Sequence, residues 1–260
     1  MECRTFKRTI DKNKNNIILS KIRISAVSYT NTKPFIYGLR HSPSLLKKID
    51  LSLDIPSDCA DKLINNQVDI GLIPVAAIPL IPNAQIVSDY CIGSVGAVNS
   101  VFIFSAVPVG QIKTIRLDLQ SRTSNNLAKI LLKFHFKKDV KFIEDQFIET
   151  DAMVLIGDRT FDRKAAFAFH YDLGEEWMKF TGLPFVYAAW VANKPVPENF
   201  IAEFDEALKY GLDQREALIK ELKPVQGIHL HDYLYHKLDF SLTAEKRKAL
   251  DVFLNYIRKV

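Results

Sequence analysis

Three short polar segments carry the side chains best suited to binding or transforming a small anion, and each follows a β-rich run. They span residues 28–34, 118–124 and 155–160. A polar turn between a strand and a helix places hydroxyl and amide groups beside the unpaired N–H groups of the helix N-terminus, where an anion is favoured. The three segments therefore predict a site for a small organic anion.

The first segment offers Ser28, Asn31 and Thr32, followed by Pro34. Proline suits the first turn of a helix, so Asn31 and Thr32 stand where a helix begins. Plain N-capping is the alternative explanation for these two residues, and their spacing alone favours it. An anion-binding role for this segment therefore needs support from elsewhere in the sequence.

The second segment holds Ser121, Arg122, Thr123 and Ser124 in front of an amphipathic helical stretch. One N-cap needs one hydroxyl group, whereas this segment has three and an arginine, which pairs well with a carboxylate. Binding is therefore a stronger interpretation here than capping alone.

The third segment contains Gly157 and Asp158. Glycine permits the backbone to approach a ligand closely. Asp158 is either catalytic or a turn former, and the turn-forming role is favoured. Ser100 lies just before another apolar run, where it either points into a cleft or belongs to a hairpin turn.

Other catalytic patterns find little support in the sequence. His229, His231, Asp232 and His236 form the best group of metal-ligand residues, but their spacing matches no standard zinc pattern. The sequence contains no GxSxG, HExxH or P-loop motif. We therefore expect no metal ion and no cofactor.

The composition is that of an ordinary globular protein, with 260 residues of which 48% are hydrophobic and 25% charged. Three cysteines without metal-type spacing indicate a thiol-reducing compartment, and no apolar run is long enough to span a membrane. Most of the net charge of +5 lies in residues 1–20, which we predict to be a disordered basic leader. The remainder has no basic stripe, so we expect a cytoplasmic protein that binds neither nucleic acid nor a membrane.

The elements that position these residues alternate between short β-rich runs and amphipathic helical stretches, which is typical of an α/β protein. We predict two α/β lobes with a ligand cleft between them. Residues 21–107 with 193–260 form the first lobe, and residues 108–192 form the second. Ligands of open α/β sheets bind beyond the carboxyl ends of the strands, so the polar segments belong at this cleft.

Seven segments taken together resemble the chorismate dehydratase family of the futalosine route to menaquinone. They follow the family's order over most of residues 21–193, which makes the joint match specific although each segment alone is weak. The C-terminal helical stretches match only in general character. The segments are SYTNTKPF (28–35), VDIGLIPVAAI (68–78), YCIGSVGAVNSVFIFS (90–105), LDLQSRTSNNLAKILL (117–132), LIGD (155–158), YDLGEEW (171–177) and TGLPFVYAAWVAN (181–193).

The resemblance implies a type II periplasmic-binding-protein fold and the loss of water from chorismate, which gives 3-[(1-carboxyvinyl)oxy]benzoate. It also implies a stepwise elimination in which the enolpyruvyl carboxylate of the substrate takes the proton. Asn31 and Ser100 would position and polarise the reacting centre as the catalytic residues. The expected substrate-binding residues are Ser28, Thr32, Ser121, Arg122, Thr123, Ser124, Gly157 and Asp158.

The sequence departs from the family pattern at Thr30, Val95 and Asn99, and the last two lie close to Ser100. The alternative function belongs to another class: a solute-binding protein that captures a small organic anion without reaction. The sequence predicts no particular oligomeric state.

Overall fold

The computed structural model describes residues 21–260, so the basic leader expected over residues 1–20 lies outside the described residues. Within them, eleven strands form two separate β-sheets. In chain order from β1 to β11, the strands are Ile22–Val27, Ile49–Asp54, Ile70–Pro74, Gln85–Ser94, Val101–Ser105, Thr114–Arg116, Lys141–Ile143, Ala152–Ile156, Phe169–Asp172, Phe185–Ala192 and Asp239–Ser241.

The first lobe is built on a six-stranded sheet with the order β11-β4-β10-β3-β1-β2. Strand β1 pairs in parallel with both β2 and β3, whereas β10 runs antiparallel to β3 and β4. Every residue of β10 is buried, because helices cover both faces of the sheet around it. The continuous apolar character of this strand follows from that position.

The second lobe is built on a five-stranded sheet with the order β7-β6-β8-β5-β9. Strand β6 pairs in parallel with β7 and β8, while β5 runs antiparallel to β8 and β9. The carboxyl ends of β6 and β8 lead directly into the second and third polar segments.

Nine α-helical segments occur between residues 21 and 260, and two short π-helical turns, Leu131–His135 and Tyr233–Lys237, follow α4 and α8. From α1 to α9, the helices are Lys33–Arg40, Pro43–Leu46, Pro56–Ile64, Arg122–Ile130, Leu173–Thr181, Glu198–Asp213, Arg215–Glu221, Leu230–Asp232 and Ala244–Ile257.

Two strands lie in the lobe opposite to the one expected from the sequence. The lobe boundaries predicted at residues 107–108 and 192–193 would place β5 in the first lobe and β10 in the second. Instead, β5 pairs with β8 and β9, and β10 pairs with β3 and β4. The chain therefore crosses between lobes before β5 and again before β10, and the proline and glycine residues near 108–110 form a turn within the second lobe.

Helices α1 and α6 of the first lobe pack with their backbones in contact. A Cβ atom built on Gly38 would lie 1.9 Å from the Ala207 carbonyl oxygen, and one built on Gly211 would lie 1.9 Å from the Pro34 carbonyl oxygen. No side chain fits at either position. Because α1 begins two residues after Asn31, its packing on α6 contributes to the position of the first polar segment.

Candidate functional site

A narrow cleft lies between the two lobes. The carboxyl ends of β1, β3 and β8 all border it, as expected for a ligand site of open α/β sheets. Seven of the ten residues singled out from the sequence line this cleft: Asn31, Thr32, Ser100, Ser121, Thr123, Ser124 and Gly157.

The first polar segment forms a 3-10 turn, Thr30–Thr32, that runs into α1. Thr32 occupies the N-cap position of α1 but makes no capping bond with its side chain. Its hydroxyl instead donates to the Asn31 Oδ1 atom at 3.1 Å. The Asn31 amide oxygen thus has a partner within its own turn, and Asn31 itself lines the cleft.

The second polar segment forms the N-terminus of α4. Ser121 is the N-cap, and its hydroxyl oxygen accepts from the Ser124 N–H at 3.0 Å. The Thr123 hydroxyl accepts from the Ala76 N–H at 3.2 Å, which joins α4 to the first lobe. Capping and cleft lining therefore occur together here, since one hydroxyl caps the helix and the others remain at the cleft wall.

Arg122 does not line the cleft, in contrast to the sequence prediction. Its Nη2 atom donates to the Asp61 Oδ1 atom at 2.7 Å, so the side chain forms an ion pair between α4 and α3. As the first residue of α4, Arg122 projects sideways toward the other lobe because successive helical residues point in different directions.

Ser100 lies at the end of the loop that connects the two lobes and is 2% exposed. The Asp172 carboxylate holds this loop, since it accepts from the N–H groups of Val98 at 3.1 Å and Asn99 at 2.7 Å. The same carboxylate caps α5 by accepting from the Gly174 N–H. Burial raises the pKa of Asp172, although these N–H donors oppose that effect. The buried Asp172 carboxylate thus links the loop of Ser100 to α5 and positions the serine.

Gly157 and Tyr29 form the contact between the lobes at the cleft wall. The Gly157 backbone has a φ of +65°, and its N–H donates to the Ser100 carbonyl oxygen at 2.8 Å. A Cβ atom at this position would lie 2.6 Å from the Tyr29 ring, so only glycine lets the ring lie flat against the backbone. The Tyr29 hydroxyl donates to the Gln120 Oε1 atom of the second lobe.

Asp158 joins the lobes rather than lining the cleft. Its carboxylate accepts from the Thr30 N–H at 3.0 Å and from the Thr30 hydroxyl at 2.9 Å. The turn-forming alternative from the sequence is closer to this arrangement than a catalytic role, because Asp158 is the second residue of the 3-10 turn Gly157–Thr160. Its carboxylate anchors the Thr30–Thr32 turn and so holds Asn31 opposite the second lobe.

Ser28 lies outside the cleft, although the sequence analysis placed it among the substrate-binding residues. It is exposed and borders a neighbouring surface groove with Lys33, Tyr37 and Glu221. Ser28 follows the last residue of β1, Val27, which borders both this groove and the cleft.

Among the described residues, no lining side chain of the cleft is a lysine, arginine, histidine, aspartate or glutamate. The titratable groups at its wall are the phenols of Tyr29 and Tyr187, and burial raises the pKa of both. The nearby Arg159 is paired with Asp118, with 2.6 Å between Nη2 and Oδ2. The cleft therefore offers an anion hydroxyl, amide and backbone donors instead of a charged partner.

The sequence analysis missed three tyrosines at or behind the cleft: Tyr29, Tyr187 and Tyr233. Tyr29 lies within the first polar segment, so its position in the sequence could have predicted that it lines the cleft. Tyr187 lies in the buried strand β10, and its hydroxyl is 3.1 Å from the Ser94 hydroxyl. Tyr233 donates to the Ser100 Oγ atom at 2.8 Å from a region without any recognised motif.

A second concavity of about 640 Å³, the lysine groove, shares no lining residue with the cleft. It is lined by Lys129, Lys133, Lys137, Lys138, Asp139, Val140, Phe142 and Val260. The Lys129 Nζ atom lies 5.4 Å from the centre of the Phe142 ring. Four lysines and one aspartate are among its lining residues.

Two further properties hold for residues 21–260. No group of three or more histidine, cysteine, aspartate or glutamate side chains is arranged to hold a metal ion. No helix in this part of the chain has the length and apolar character needed to cross a membrane.

Solved structures with this arrangement define the class of the protein. Protein AF1704 from Archaeoglobus fulgidus is similar with a TM-score of 0.66 and 16% identity, over 92% of this chain and 96% of that chain. A Candida albicans protein with the generic periplasmic binding protein fold has a TM-score of 0.63 and 11% identity, over 93% and 94%. The alkanesulfonate-binding protein SsuA from Xanthomonas axonopodis pv. citri, bound to MOPS, has a TM-score of 0.62 and 13% identity, over 91% and 93%. The chain is thus a two-lobed protein of the periplasmic-binding-protein fold, which confirms the predicted fold class.

Within that class, the chain belongs to the menaquinone biosynthesis family, whose family model matches residues 22–259. A chorismate dehydratase from Thermus thermophilus is 25% identical over 263 residues, which cover 86% of this chain and 91% of that protein. The family resemblance carried by the seven sequence segments is therefore confirmed, and it extends through the C-terminal helices.

Proposed function

We propose that this protein removes water from chorismate and releases 3-[(1-carboxyvinyl)oxy]benzoate. The observation that carries the proposal is the cleft itself, where Asn31 and Ser100 stand together among neutral donors. Membership of the menaquinone biosynthesis family and the similarity to a chorismate dehydratase support the same reaction.

The dianionic substrate is held by oriented dipoles. The N-terminus of α4, with Thr123 and Ser124, provides hydroxyl and N–H donors for one carboxylate. Charged partners are not needed for such recognition, because backbone N–H groups at a helix N-terminus favour an anion. We assign Thr32 and Gly157 to the wall that closes on the ring of the substrate.

The elimination proceeds in two steps. The enolpyruvyl carboxylate of the substrate removes the ring C–H proton, and the electron pair spreads into the ring carboxylate as a dienolate. The ring hydroxyl then leaves as the C–O bond breaks, and the proton taken from carbon balances the departing hydroxide, so that one water forms. Aromaticity of the product favours this second step.

The protein's part is positioning and hydrogen bonding. Tyr29 and Tyr187 remain protonated near neutral pH, because burial raises the pKa of both phenols. Neither is therefore a general base, which supports proton removal by the substrate itself. Asn31 and Ser100 donate hydrogen bonds where negative charge develops, and preorganised donors of this kind can contribute about 10²–10³-fold in rate.

The direct test mixes purified protein with chorismate and follows the loss of the cyclohexadiene absorbance and the appearance of a product lighter by one water. We expect turnover with the wild-type protein and a severe loss in Ser100→Ala. If the protein binds chorismate with a measurable heat but leaves it intact, capture of a small anion without reaction becomes the better function, and the dehydratase proposal fails.

We also propose that the protein acts in the cytoplasm. The cysteines of the described chain, Cys59 and Cys91, are both buried and free, as expected in a thiol-reducing compartment. Fractionation of the native organism tests this proposal, since recovery of the protein in the periplasm would contradict it.

A further inference from the structure

A buried tyrosine from the C-terminal part of the chain reaches the serine of the cleft. Tyr233 is 1% exposed, and its hydroxyl lies 2.8 Å from the Ser100 Oγ atom. The two residues are 133 positions apart in the sequence. Tyr233 does not border the cleft itself, and its hydrogen bond to Ser100 links it to the site.

The direction of this hydrogen bond follows from the surroundings of the tyrosine. Within residues 21–260, Ser100 is the hydrogen-bond partner of the Tyr233 hydroxyl. If Ser100 donated to Tyr233, the hydrogen of the buried phenol would have no acceptor, which is costly in a protein interior. Tyr233 therefore donates, and the hydrogen of the Ser100 hydroxyl is left to point into the cleft.

The tyrosine is held in place by contacts on both sides. It begins the π-helical turn Tyr233–Lys237, a type of irregularity that is frequent at functional sites. Arg215 of the first lobe donates from Nη1 to the Leu234 carbonyl oxygen at 2.8 Å. The Tyr233 ring packs edge-on against Phe161 of the second lobe, with 5.3 Å between ring centres. The phenol is therefore clamped between the two lobes.

We propose that Tyr233 is a positioning residue for the elimination, which fixes the Ser100 hydroxyl as a hydrogen-bond donor toward the departing oxygen of the substrate. This inference rests on the proposed function. Tyr233 keeps its own proton throughout, because burial raises the pKa of the phenol and a buried phenolate would be unfavourable. Its role is to hold the serine in one orientation, and no proton passes through it.

The test compares the steady-state kinetics of chorismate dehydration in the wild-type protein and in Tyr233→Phe. This change removes one oxygen and keeps the ring that packs on Phe161. We expect kcat to fall about tenfold with KM changed less than about twofold, because the lost orientation matters mainly in the transition state. Tyr171→Phe is the matched control, since it removes a phenol that accepts from the Val109 N–H in the second lobe, away from the cleft.

A double-mutant cycle separates positioning from a general structural effect. In a protein that already carries Ser100→Ala, adding Tyr233→Phe is expected to leave kcat unchanged, because there is no serine hydroxyl left to orient. Independent, multiplicative losses from the two changes would overturn the inference. So would a wild-type kcat in Tyr233→Phe.

Two further outcomes are distinguishable. Absence of chorismate turnover in the wild-type protein would overturn the proposed function and this inference with it, whereas normal wild-type turnover with an unaffected Tyr233→Phe would overturn this inference alone. If Tyr233→Phe fails to fold, Phe161→Leu loosens the same ring from the other side. We expect a severalfold loss of kcat in that variant, and an unchanged kcat there would overturn the inference.

Discussion

The cleft and the lysine groove offer an anion two different kinds of partner. The cleft is lined by apolar side chains together with hydroxyl groups, the Asn31 amide and the N-terminus of α4, with no charged side chain among its described lining residues. The lysine groove is open and lined by Lys129, Lys133, Lys137 and Lys138. Net charge alone would therefore predict that an anion binds in the lysine groove, whereas the family and the proposed chemistry predict binding in the cleft.

The difference shows why a dianionic substrate does not need a cationic site. Surface ammonium groups are mobile and strongly hydrated, so they attract many anions with little geometric selectivity. Donors fixed by backbone and helix termini keep their orientation while charge shifts within the substrate, and they need no reorganisation during the reaction. On this comparison, catalysis depends on the neutral cleft, and the predictions below test that dependence.

The largest effect is expected from the two catalytic candidates of the cleft. Asn31→Ala or Ser100→Ala is expected to lower kcat by about 10²-fold or more, equivalent to about 2.7 kcal/mol of transition-state stabilisation. Ser28→Ala is the matched control, because Ser28 is an exposed serine outside the cleft. Chorismate turnover measured for the three variants checks the prediction, and equal rates would mean that the wrong residues have been assigned.

A smaller loss of activity is expected at Gly157, where the cleft wall requires a residue without a side chain. Gly157→Ala is expected to lower kcat/KM about tenfold, since the added methyl would meet the Tyr29 ring at 2.6 Å and the φ of +65° disfavours alanine. Gly182→Ala carries the same backbone cost at φ +69° with nothing within 4 Å. Both variants are expected to lose about 1 kcal/mol of unfolding free energy from the backbone, and only the first is expected to lose activity. Equal activities would contradict the role of the Tyr29 contact.

A moderate effect is expected from the carboxylate that joins the lobes. Asp158→Asn is expected to raise KM about fivefold with a smaller change in kcat, because a neutral amide oxygen accepts more weakly than the carboxylate from the N–H and the hydroxyl of Thr30. The exposed neighbour Asp162 provides the control variant Asp162→Asn. A fall in kcat as large as that of Ser100→Ala would instead indicate a catalytic role for Asp158.

A nearly flat pH profile is expected between about pH 6 and pH 9. The phenols of Tyr29 and Tyr187 have raised pKa values, so both stay neutral throughout this range. The substrate carboxylates are already ionised. A rate that rises with pH through a single ionisation would show that a protein base takes the proton, contrary to the substrate-assisted step. The measurement is kcat across the range with the protein shown to remain folded.

The smallest effect is expected from the lysine groove. Lys129→Gln combined with Lys133→Gln is expected to change kcat and KM for chorismate by less than about twofold, since neither residue borders the cleft. The same steady-state assay checks it. A large rise in KM would mean that the groove contributes to substrate capture, and the contrast between the two regions would then have to be abandoned.

Much of the fold could be predicted from the sequence because its strands and helices carry clear periodicity. The apolar pattern predicts a strand at Ala152–Ile156 and a helix over Leu173–Thr181 that Gly182 ends, and the structure has both elements with these bounds. Strand β4 runs on to Ser94 through a glycine-containing stretch that reads as a loop, because β10 and β11 pair with it on both sides. Such pairing is tertiary, and no local pattern contains it.

The site was predictable where a single polar turn supplies its residues. Asn31, Ser100 and the hydroxyls of residues 121–124 lie at the cleft as expected from strand-end position and family resemblance. The prediction that Arg122 binds the substrate was wrong because its guanidinium group pairs with the Asp61 carboxylate of the opposite lobe. Tyr233 was missed because its partner lies 133 positions away, a relation that spacing cannot reveal.

The backbone contact between α1 and α6 means that helix α6, near the C-terminal end, restricts which substitutions α1 can accept. Gly38 and Gly211 meet where neither can carry a methyl group, so the two positions share one constraint. A larger residue at either would push the helices apart and carry Asn31 out of register with the opposite lobe. An evolving relative would have to change both helices together, which makes this joint one of the least adjustable parts of the scaffold.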